Sequence, residues 1–430
     1  MHARRSNTCV PWSNASSVNT RRAHGSEERS MGQTAPLRIG IVGLEFGAEF
    51  IPIYQQHPQA EMYAICQRTQ QKLDEVGDHC GVAVRYNDYT AMLADPSIDV
   101  IHINTPLQLH ADHVVAALEA GKHVGCTIPM AISVEDCKRI VDAQARTGLT
   151  YMMMETTLYS REFLFAQELY ESGAFGSLQF LRASHHQDMT GWPSYWDGMP
   201  PMYNATHAIA PTLGLAGYQA EYVQCLGSGT VFESMRSNYD SPFAIESTHL
   251  KFLGADVGAE VTRHLWAVAR EYRESFDVYG SIRSFEWTQT EGGAHIMYLG
   301  EQPTAVTIPD FAHRLPPEIQ QFTTAGVYTE DGDTQHRSFV QGGGHGGSHP
   351  HLADRLIQAV LGERQAFPDA VYAANITCAG ILSHESASRR GERVYLPEWT
   401  LSDRKPLEFS LDDTKQPQWK GLSQIVPDLS

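Results

Sequence analysis

The sequence predicts an α/β protein in which a doubly wound parallel sheet is followed by an α+β domain with a large open antiparallel sheet. The chain has 430 residues, which is too long for one ordinary domain. Short apolar runs alternate with amphipathic helical patterns up to about residue 155, and period-two alternation dominates after residue 159. The expected organisation is a disordered extension at 1–35, a first domain at 36–158, a second domain at 159–400 and a tail at 401–430.

The first domain is a regular series of strand and helix patterns. Helical patterns fill the intervals between its apolar runs, and the last two cover 110–121 and 133–148. Short apolar strands between amphipathic helices are typical of a parallel sheet that is covered on both faces. The runs predicted as strands are 37–42, 61–66, a short one around Val84, 99–104, 122–126 and 151–155.

The second domain has the pattern of an antiparallel sheet with one apolar face. A helix is predicted at 161–172, and two more, at 351–363 and 369–391, close the domain. Residues of alternating polarity place one set of side chains on each face of a strand. The alternating runs are 177–185, 247–254, 259–268 and 281–289.

The composition excludes several classes of partner. Lys and Arg number 32 against 50 Asp and Glu, a net charge of −18, and an acidic surface repels phosphate backbones. No stretch approaches the roughly 20 apolar residues that span a bilayer. Seven cysteines without a Cys-x-x-Cys pair indicate a reducing compartment, and no zinc-ligand spacing occurs. We therefore expect a cytoplasmic protein for small molecules, with no nucleic-acid or membrane partner and no metal.

The first predicted strand runs into a turn that could bind a dinucleotide. Against the template G-x-G-x-x-G of a Rossmann fold, Gly43 fits, Glu45 takes the second position and Ala48 the third. Gly47 restores backbone freedom, and Phe46 lies beside it. The Glu45 side chain must point away from a pyrophosphate or repel it. The alternative is an ordinary strand-to-helix turn.

The second predicted strand ends in Cys66-Gln67-Arg68, where many dinucleotide-binding proteins place an acidic residue for the adenosine ribose. Gln67 can bond a ribose hydroxyl without repelling a 2′-phosphate, and Arg68 could stack on adenine or meet that phosphate. We expect NAD as the cofactor, with NADP as the alternative.

Further motifs follow the fourth predicted strand. Asn104, Thr105 and Pro106 precede His110, the stretch 117–124 follows, and Cys126 begins a C-x-x-P-M-A segment. This series resembles the Gfo/Idh/MocA oxidoreductases over about residues 36–400. The resemblance implies a dinucleotide domain and an open sheet that packs in a homo-oligomer, such as a dimer, tetramer or hexamer. It also implies cofactor contacts at a set of residues: Asn104, Thr105, Pro106, His110, Thr127, Ile128 and Pro129.

The catalytic pattern departs from that family. Its Glu-Lys-Pro segment stands here as Thr127-Ile128-Pro129, so an aliphatic side chain replaces the lysine. Its Asp-x-x-x-His segment begins with Tyr203 and keeps only His207. A neutral imidazole can accept the proton of a secondary alcohol at neutral pH. We predict His207 as the base, the alternative being a capping or core histidine.

Other polar residues are candidates to assist His207. His186 and Asp188 share one face of a predicted strand, with His185 on the other. Glu155 ends a parallel strand, where side chains reach the cofactor crevice, and could orient a hydroxyl or cap a helix. Tyr159 follows with the same ambiguity.

An aromatic loop directly precedes His207. Trp192, Tyr195, Trp196 and Tyr203 crowd a segment rich in Gly and Pro. Aromatic faces bind sugar rings or planar aglycones, which predicts a substrate-binding role. Core packing under the loop is the alternative for any single member.

The segment 342–351 combines glycines with histidines. His345 and His349 are its candidate substrate ligands. They could bind sugar hydroxyls, complete a catalytic pair or hold a metal, and a plain hinge is the alternative.

Taken together, the motifs resemble a lysine-less subgroup of the family, similar to bacterial sugar 3-dehydrogenases that begin glycoside breakdown. The resemblance implies an NAD(P)-dependent oxidation of a secondary hydroxyl, at C3 of a sugar or glycoside, with a downstream lyase as a further partner. Two alternatives stay open. One is a redox-assisted glycosidase or lyase with tightly bound NAD, and the other is a non-catalytic, dinucleotide-responsive regulator.

Overall fold

The structure, a computed structural model, describes residues 35–324 and 345–399. The predictions for 1–34, for the glycines at 342–344 and for the tail at 401–430 concern residues outside these ranges. Within them, two sheets form the framework of the protein.

The first sheet is parallel and six-stranded, with the strand order 3-2-1-4-5-6. This is the order of a doubly wound dinucleotide-binding fold, and it confirms the predicted fold class. Ile39, Ile41 and Ile101 are fully buried in it. The strands are β1 (Leu37–Val42), β2 (Ala60–Cys66), β3 (Val84–Tyr86), β4 (Val100–Ile103), β5 (His123–Cys126) and β6 (Tyr151–Met153).

Helices cover this sheet, and local signals set their ends. The hydroxyl of Ser133 accepts the Asp136 N–H at the start of one helix, and Gly148, with φ of 68°, ends it. The helices are α1 (Ile51–Gln56), α2 (Gln70–His79), α3 (Tyr89–Leu93), α4 (His110–Glu119) and α5 (Val134–Thr147).

The second sheet is nine-stranded, with the order β14-β13-β12-β11-β7-β10-β9-β8-β15. Neighbouring strands are antiparallel except β7 and β10, which pair in parallel. This mostly antiparallel sheet confirms the prediction for the second domain, and the parallel pair is a detail that no local signal indicates. The strands are β7 (Leu178–His186), β8 (Ala220–Ser228), β9 (Ile245–Phe252), β10 (Gly258–His264), β11 (Arg273–Gly280), β12 (Arg283–Glu286), β13 (His295–Leu299), β14 (Gln302–Val306) and β15 (Val394–Tyr395).

Among the described residues, four helices follow the first sheet, and the last two of these also contact the first domain. The hydroxyl of Thr377 accepts the Met130 N–H at 3.3 Å, and Asp354 lies 3.2 Å from His57. The final helix is buried along most of its length, which explains why it is apolar all round. These helices are α6 (Arg161–Glu171), α7 (Thr206–Gly214), α8 (Ser348–Val360) and α9 (Ala370–Ser388).

None of the helices in the described ranges combines the length and the apolar character that a membrane span requires.

The close approach of α9 to the turn before α7 gives a first prediction. A Cβ at Gly380 would lie 2.3 Å from the Met202 carbonyl oxygen, which is backbone and cannot rotate away. We expect Gly380→Ala to reduce the free energy of unfolding by about 1–3 kcal/mol, as overpacking does in cores. Chemical denaturation measures it.

Gly77→Ala is the matched control, since its Cβ would meet only the flexible Arg85 side chain. Alanine is the better helix former, so this variant should be neutral or slightly stabilised. Equal losses in both variants would contradict the packing argument.

Candidate active site

A single cleft of about 1180 Å³ receives side chains from both sheets. It begins at Gly43, where β1 ends, and reaches His207 at the start of α7. In open α/β sheets, ligands bind at the carboxyl ends of the strands, so its position fits a dinucleotide together with a second ligand.

The turn after β1 is built for close backbone approach. Gly43 has φ of 88°, and a Cβ there would lie 2.3 Å from the Asn104 carbonyl oxygen. A Cβ on Gly47 would lie 2.9 Å from the Asn104 amide nitrogen. The side chain of Glu45 is exposed and lies among the lining residues of the cleft. The residues at this end therefore fit a dinucleotide.

Most residues predicted to contact the cofactor line the cleft, although Gly47 and Pro129 are not among its lining residues. His110 is held between the carbonyl oxygens of Thr105 and Pro129, at 2.8 and 2.7 Å, and so fixes the turn. The predicted residues that line the cleft are Gly43, Glu45, Phe46, Gln67, Arg68, Asn104, Thr105, Pro106, His110, Thr127 and Ile128. Sequence analysis missed Asn87, Asp88 and Tyr89, which join Arg68 at the same end.

His207 and Glu155 form a buried pair at the other end. Nδ1 of His207 lies 2.5 Å from Oε1 of Glu155, which is fully buried and also accepts the Thr157 N–H at 3.1 Å. His207 lines the cleft, and Glu155 lies behind it. The end of β6 and the start of α7 thus bring the two predicted residues together.

The charges around His207 favour its protonated form. Burial alone would lower its pKa, but the carboxylates of Glu155 and Glu274 outweigh burial and raise the pKa above the ordinary 6.5. In the same way, burial would raise the pKa of Glu155, and the charge of His207 lowers it instead. The pair is therefore suited to hold a proton taken from a ligand.

Strand β7 presents a different histidine from the one predicted. His185 lines the cleft, with its ring 5.0 Å from that of His207. His186 lies on the other face, bonded to Ser184 at 3.0 Å and packed edge to face on His264, with ring centres 4.1 Å apart. The predicted alternation along β7 separates these two histidines, but it did not indicate which face of the strand meets the cleft.

Asp188 is likewise not brought to the cleft. Its carboxylate accepts the backbone N–H groups of Thr190 and Ala267, at 3.0 and 3.1 Å. It therefore stabilises the loop after β7.

Three polar residues that line this end of the cleft, and the charged residues that hold them, were not predicted from the sequence. The Tyr272 hydroxyl donates to Glu274 at 2.5 Å, and Thr157 donates to the other oxygen of Glu274 at 3.3 Å. The fully buried Arg263 donates to the side chains of Gln187 and Asn204, at 2.8 and 3.1 Å. Tyr272, Gln187 and Asn204 line the cleft, and their alignment depends on contacts between distant strands.

Part of the aromatic loop lines the mouth of the cleft. Trp192, Tyr195 and Trp196 are lining residues, and the amide of Gln108 holds the Tyr195 carbonyl at 2.9 Å. Tyr203 instead packs on His384, with ring centres 5.6 Å apart.

Tyr159 is a core residue. Its buried hydroxyl donates to the Phe367 carbonyl at 2.6 Å. The core alternative therefore describes Tyr203, and Tyr159 is also packed away from the cleft.

The two histidines of the glycine-rich segment lie at different depths. His345 lines the cleft, whereas His349 is fully buried behind it, and their ring nitrogens are 3.1 Å apart. Ligating atoms of His345, His207 and Glu274 all lie within 4.8 Å of one another. Such a grouping can receive a ligand with several donors, or a metal ion.

The close approach at Gly43 predicts a specific loss of cofactor binding. In Gly43→Ala, the methyl group must displace the Asn104 carbonyl, so we expect the Kd for NAD to rise at least tenfold. Isothermal titration calorimetry measures it. Gly81→Ala is the matched control, because Gly81 has φ of 68° but open space around its Cβ. Both variants share the backbone strain, so equal affinity losses would contradict the role of the turn.

Comparison with known proteins agrees with this geometry. Residues 37–155 match the family model of the oxidoreductase family with an NAD-binding Rossmann fold, Gfo/Idh/MocA. An α-N-acetylgalactosaminidase of Shewanella oneidensis is 24% identical over 90% of both chains. A glycosyl hydrolase family 109 protein of Shewanella baltica is 25% identical over 85% of both chains.

Solved structures share the fold. An aldose-aldose oxidoreductase from Caulobacter crescentus superimposes with a TM-score of 0.65 at 20% identity, over 84% of this chain and all of that one. An apo scyllo-inositol dehydrogenase from Lactobacillus casei gives 0.64 at 17% identity, over 84% of this chain and 98% of that one. The strand order, the turn at Gly43 and the match over 37–155 lead to one conclusion: this part of the chain is an NAD-binding Rossmann domain that matches the Gfo/Idh/MocA family model.

Proposed function

We propose that the protein oxidises a secondary hydroxyl of a sugar or glycoside with NAD, the C3 hydroxyl being the expected position. The observation that carries this proposal is the Glu155–His207 pair, which shares one cleft with the nucleotide turn. NADP stays the alternative cofactor, because Arg68 lines the nucleotide end.

His207 is the group that takes the hydroxyl proton. Glu155 accepts a hydrogen bond from the protonated Nδ1 of His207. Nε2 of His207 therefore carries the lone pair that a hydroxyl can approach. The carboxylates of Glu155 and Glu274 then stabilise the imidazolium that forms. The residues at the turn after β1 would hold NAD, which would supply the acceptor for the hydride of the carbinol carbon. Glu155 acts through His207 and is a positioning residue.

His185 is suited to the role of the absent lysine. Ile128 stands at the lysine position and lines the cleft, so it cannot bond the reacting oxygen. Within the described ranges, neither ring nitrogen of His185 has a hydrogen-bond partner. Burial and the nearby Arg263 charge hold its pKa well below 6.5, so the ring is neutral and can donate one hydrogen bond.

A redox-neutral glycosidase is the second candidate, and the curated relatives favour it. Proteins named α-N-acetylgalactosaminidase and glycosyl hydrolase family 109 match 85–90% of the chain. In this case the oxidised sugar would lose its aglycone by elimination, the unsaturated product would add water, and the oxo-sugar would be reduced again, with no net NADH. Product analysis distinguishes the two, since only the dehydrogenase accumulates oxo-sugar and NADH. A non-catalytic regulator does not account for a buried imidazole–carboxylate pair facing the cleft.

Removal of the base gives the direct test. We expect His207→Ala to lower kcat about 10²–10⁴-fold on an active glycoside while NAD still binds, because general base catalysis contributes about that much. Absorbance of NADH and mass analysis of the sugar measure it. His384→Ala is the matched control, since His384 pairs with Glu246 at 2.6 Å and does not line the cleft. Wild-type turnover in His207→Ala would show that another group is the base.

The charges around His207 also predict the pH profile. The base must be deprotonated, and its pKa lies above 6.5, so kcat/KM should rise with pH and level off only above that value. Glu155→Gln removes a negative charge that raises this pKa, so the rising limb should move to lower pH. Initial rates at saturating NAD measure both profiles.

Glu246→Gln is the control for that shift, because it neutralises a buried carboxylate in a similar pair away from the cleft. Glu246→Gln should leave the rising limb of the kcat/KM profile at the same pH. A rising limb that stays fixed in Glu155→Gln, or moves equally in both variants, would contradict the assignment of His207 as the base.

A further inference from the structure

We propose that Glu49, His349 and His345 form a buried relay that presents one nitrogen of His345 to the cleft as the acceptor for a second substrate hydroxyl. The protein would then select a vicinal diol rather than an isolated alcohol. This inference rests on the proposed function and names the substrate feature that the site recognises.

The relay fixes which nitrogen of His345 faces the ligand. Oε2 of Glu49 lies 3.4 Å from Nδ1 of His349, an ion-pair contact rather than a hydrogen bond. A carboxylate facing Nδ1 favours the tautomer with its proton on that nitrogen, which leaves Nε2 to accept from Nδ1 of His345 at 3.1 Å. Nε2 of His345 then has a free lone pair, so it is an acceptor.

The relay is shielded from solvent. His349 is fully buried and Glu49 is 7% exposed, so water does not compete for the contact between them. The ring of Phe46 packs on both histidines, with centres 5.6 Å from His345 and 5.4 Å from His349. Phe46 and Glu49 flank Gly47 in the nucleotide turn, so the relay joins that turn to the substrate end of the cleft.

The site thus contains acceptors that require donors. Nε2 of His207 accepts the reacting hydroxyl, and Nε2 of His345 is a second acceptor of the same kind. Ligating atoms of both histidines and of Glu274 lie within 4.8 Å of one another. Hydroxyls on adjacent carbons are close enough together to donate to two acceptors at this spacing, whereas one isolated hydroxyl leaves an acceptor unpaired.

A divalent cation is the other ligand that three acceptors could take. We favour the diol because the relay and the Glu155 bond give each histidine the tautomer that also suits hydroxyl donors, and because aromatic rings line the mouth beside them. The cation is one of the outcomes of the test.

The test compares a glycoside with analogues that lack one neighbouring hydroxyl. The probes are methyl β-D-glucopyranoside and its 2-deoxy and 4-deoxy analogues, with the full chain and NAD. In the wild type, one of the two analogues should fall about tenfold to hundredfold in kcat/KM, because it leaves a buried acceptor unpaired. In His345→Ala, the parent should lose activity and that analogue should no longer differ from it.

His349 is tested as a positioning residue. His349→Ala should remove the difference between parent and analogue, whereas His349→Gln should keep most of it, since the amide oxygen can replace Nε2 as acceptor. His351→Ala is the matched control, because His351 is buried in the same helix but does not line the cleft. It should lose stability while keeping the difference.

Several outcomes would overturn the inference. Equal kcat/KM for parent and both analogues in the wild type would do so, as would a difference that persists in His345→Ala. Loss of activity in EDTA with recovery on adding Zn²⁺ alone would assign the acceptors to a metal instead.

Failure of the proposed function is distinguishable. If no oxo-sugar or NADH forms, calorimetric binding of the same three probes to the NAD-loaded chain decides the inference. A weaker Kd for one analogue, absent in His345→Ala, supports it. If none of the three probes binds, both the inference and the assignment of the glucoside as a substrate are wrong.

Discussion

The contact between Glu155 and His207 is the interaction on which the site depends, and it joins two distant parts of the chain. Glu155 follows the last strand of the parallel sheet, and His207 begins a helix over the second sheet. The pair therefore forms only when the two sheets are packed together. The final helix secures that packing, since Thr377 bonds Met130 while Gly380 lies against the turn before His207.

In the proposed mechanism, carboxylates decide which imidazole in the cleft becomes the base. Burial lowers the pKa of His185 and His345, and in His207 alone of these three the neighbouring carboxylates reverse that effect. The pKa of one histidine is therefore raised, whereas burial favours the neutral form of the other two, which are then hydrogen-bonding groups. This division of roles gives a physical reason why a site without the family's lysine can still move a proton.

Local patterns predicted much of the fold and part of the site. The strand and helix series, the turn at Gly43 and the candidates His207 and Glu155 could be found because each depends on residues close in sequence. The placement of His185 rather than His186 in the cleft could not be predicted, because it depends on which face of β7 meets the other sheet. Glu274 was missed for the same reason, since distant strands bring it to His207.

The proposed role of His207 is tested most directly by NMR of the protein labelled with ¹⁵N-histidine. The His207 signals are assigned by their loss in His207→Asn. Chemical shifts across a pH titration report both the pKa and the protonated nitrogen. If His207 is the base, its pKa lies above 6.5, and its neutral form has the proton on Nδ1 and an unprotonated Nε2. A pKa below 6.5, or a neutral form protonated on Nε2, would contradict it.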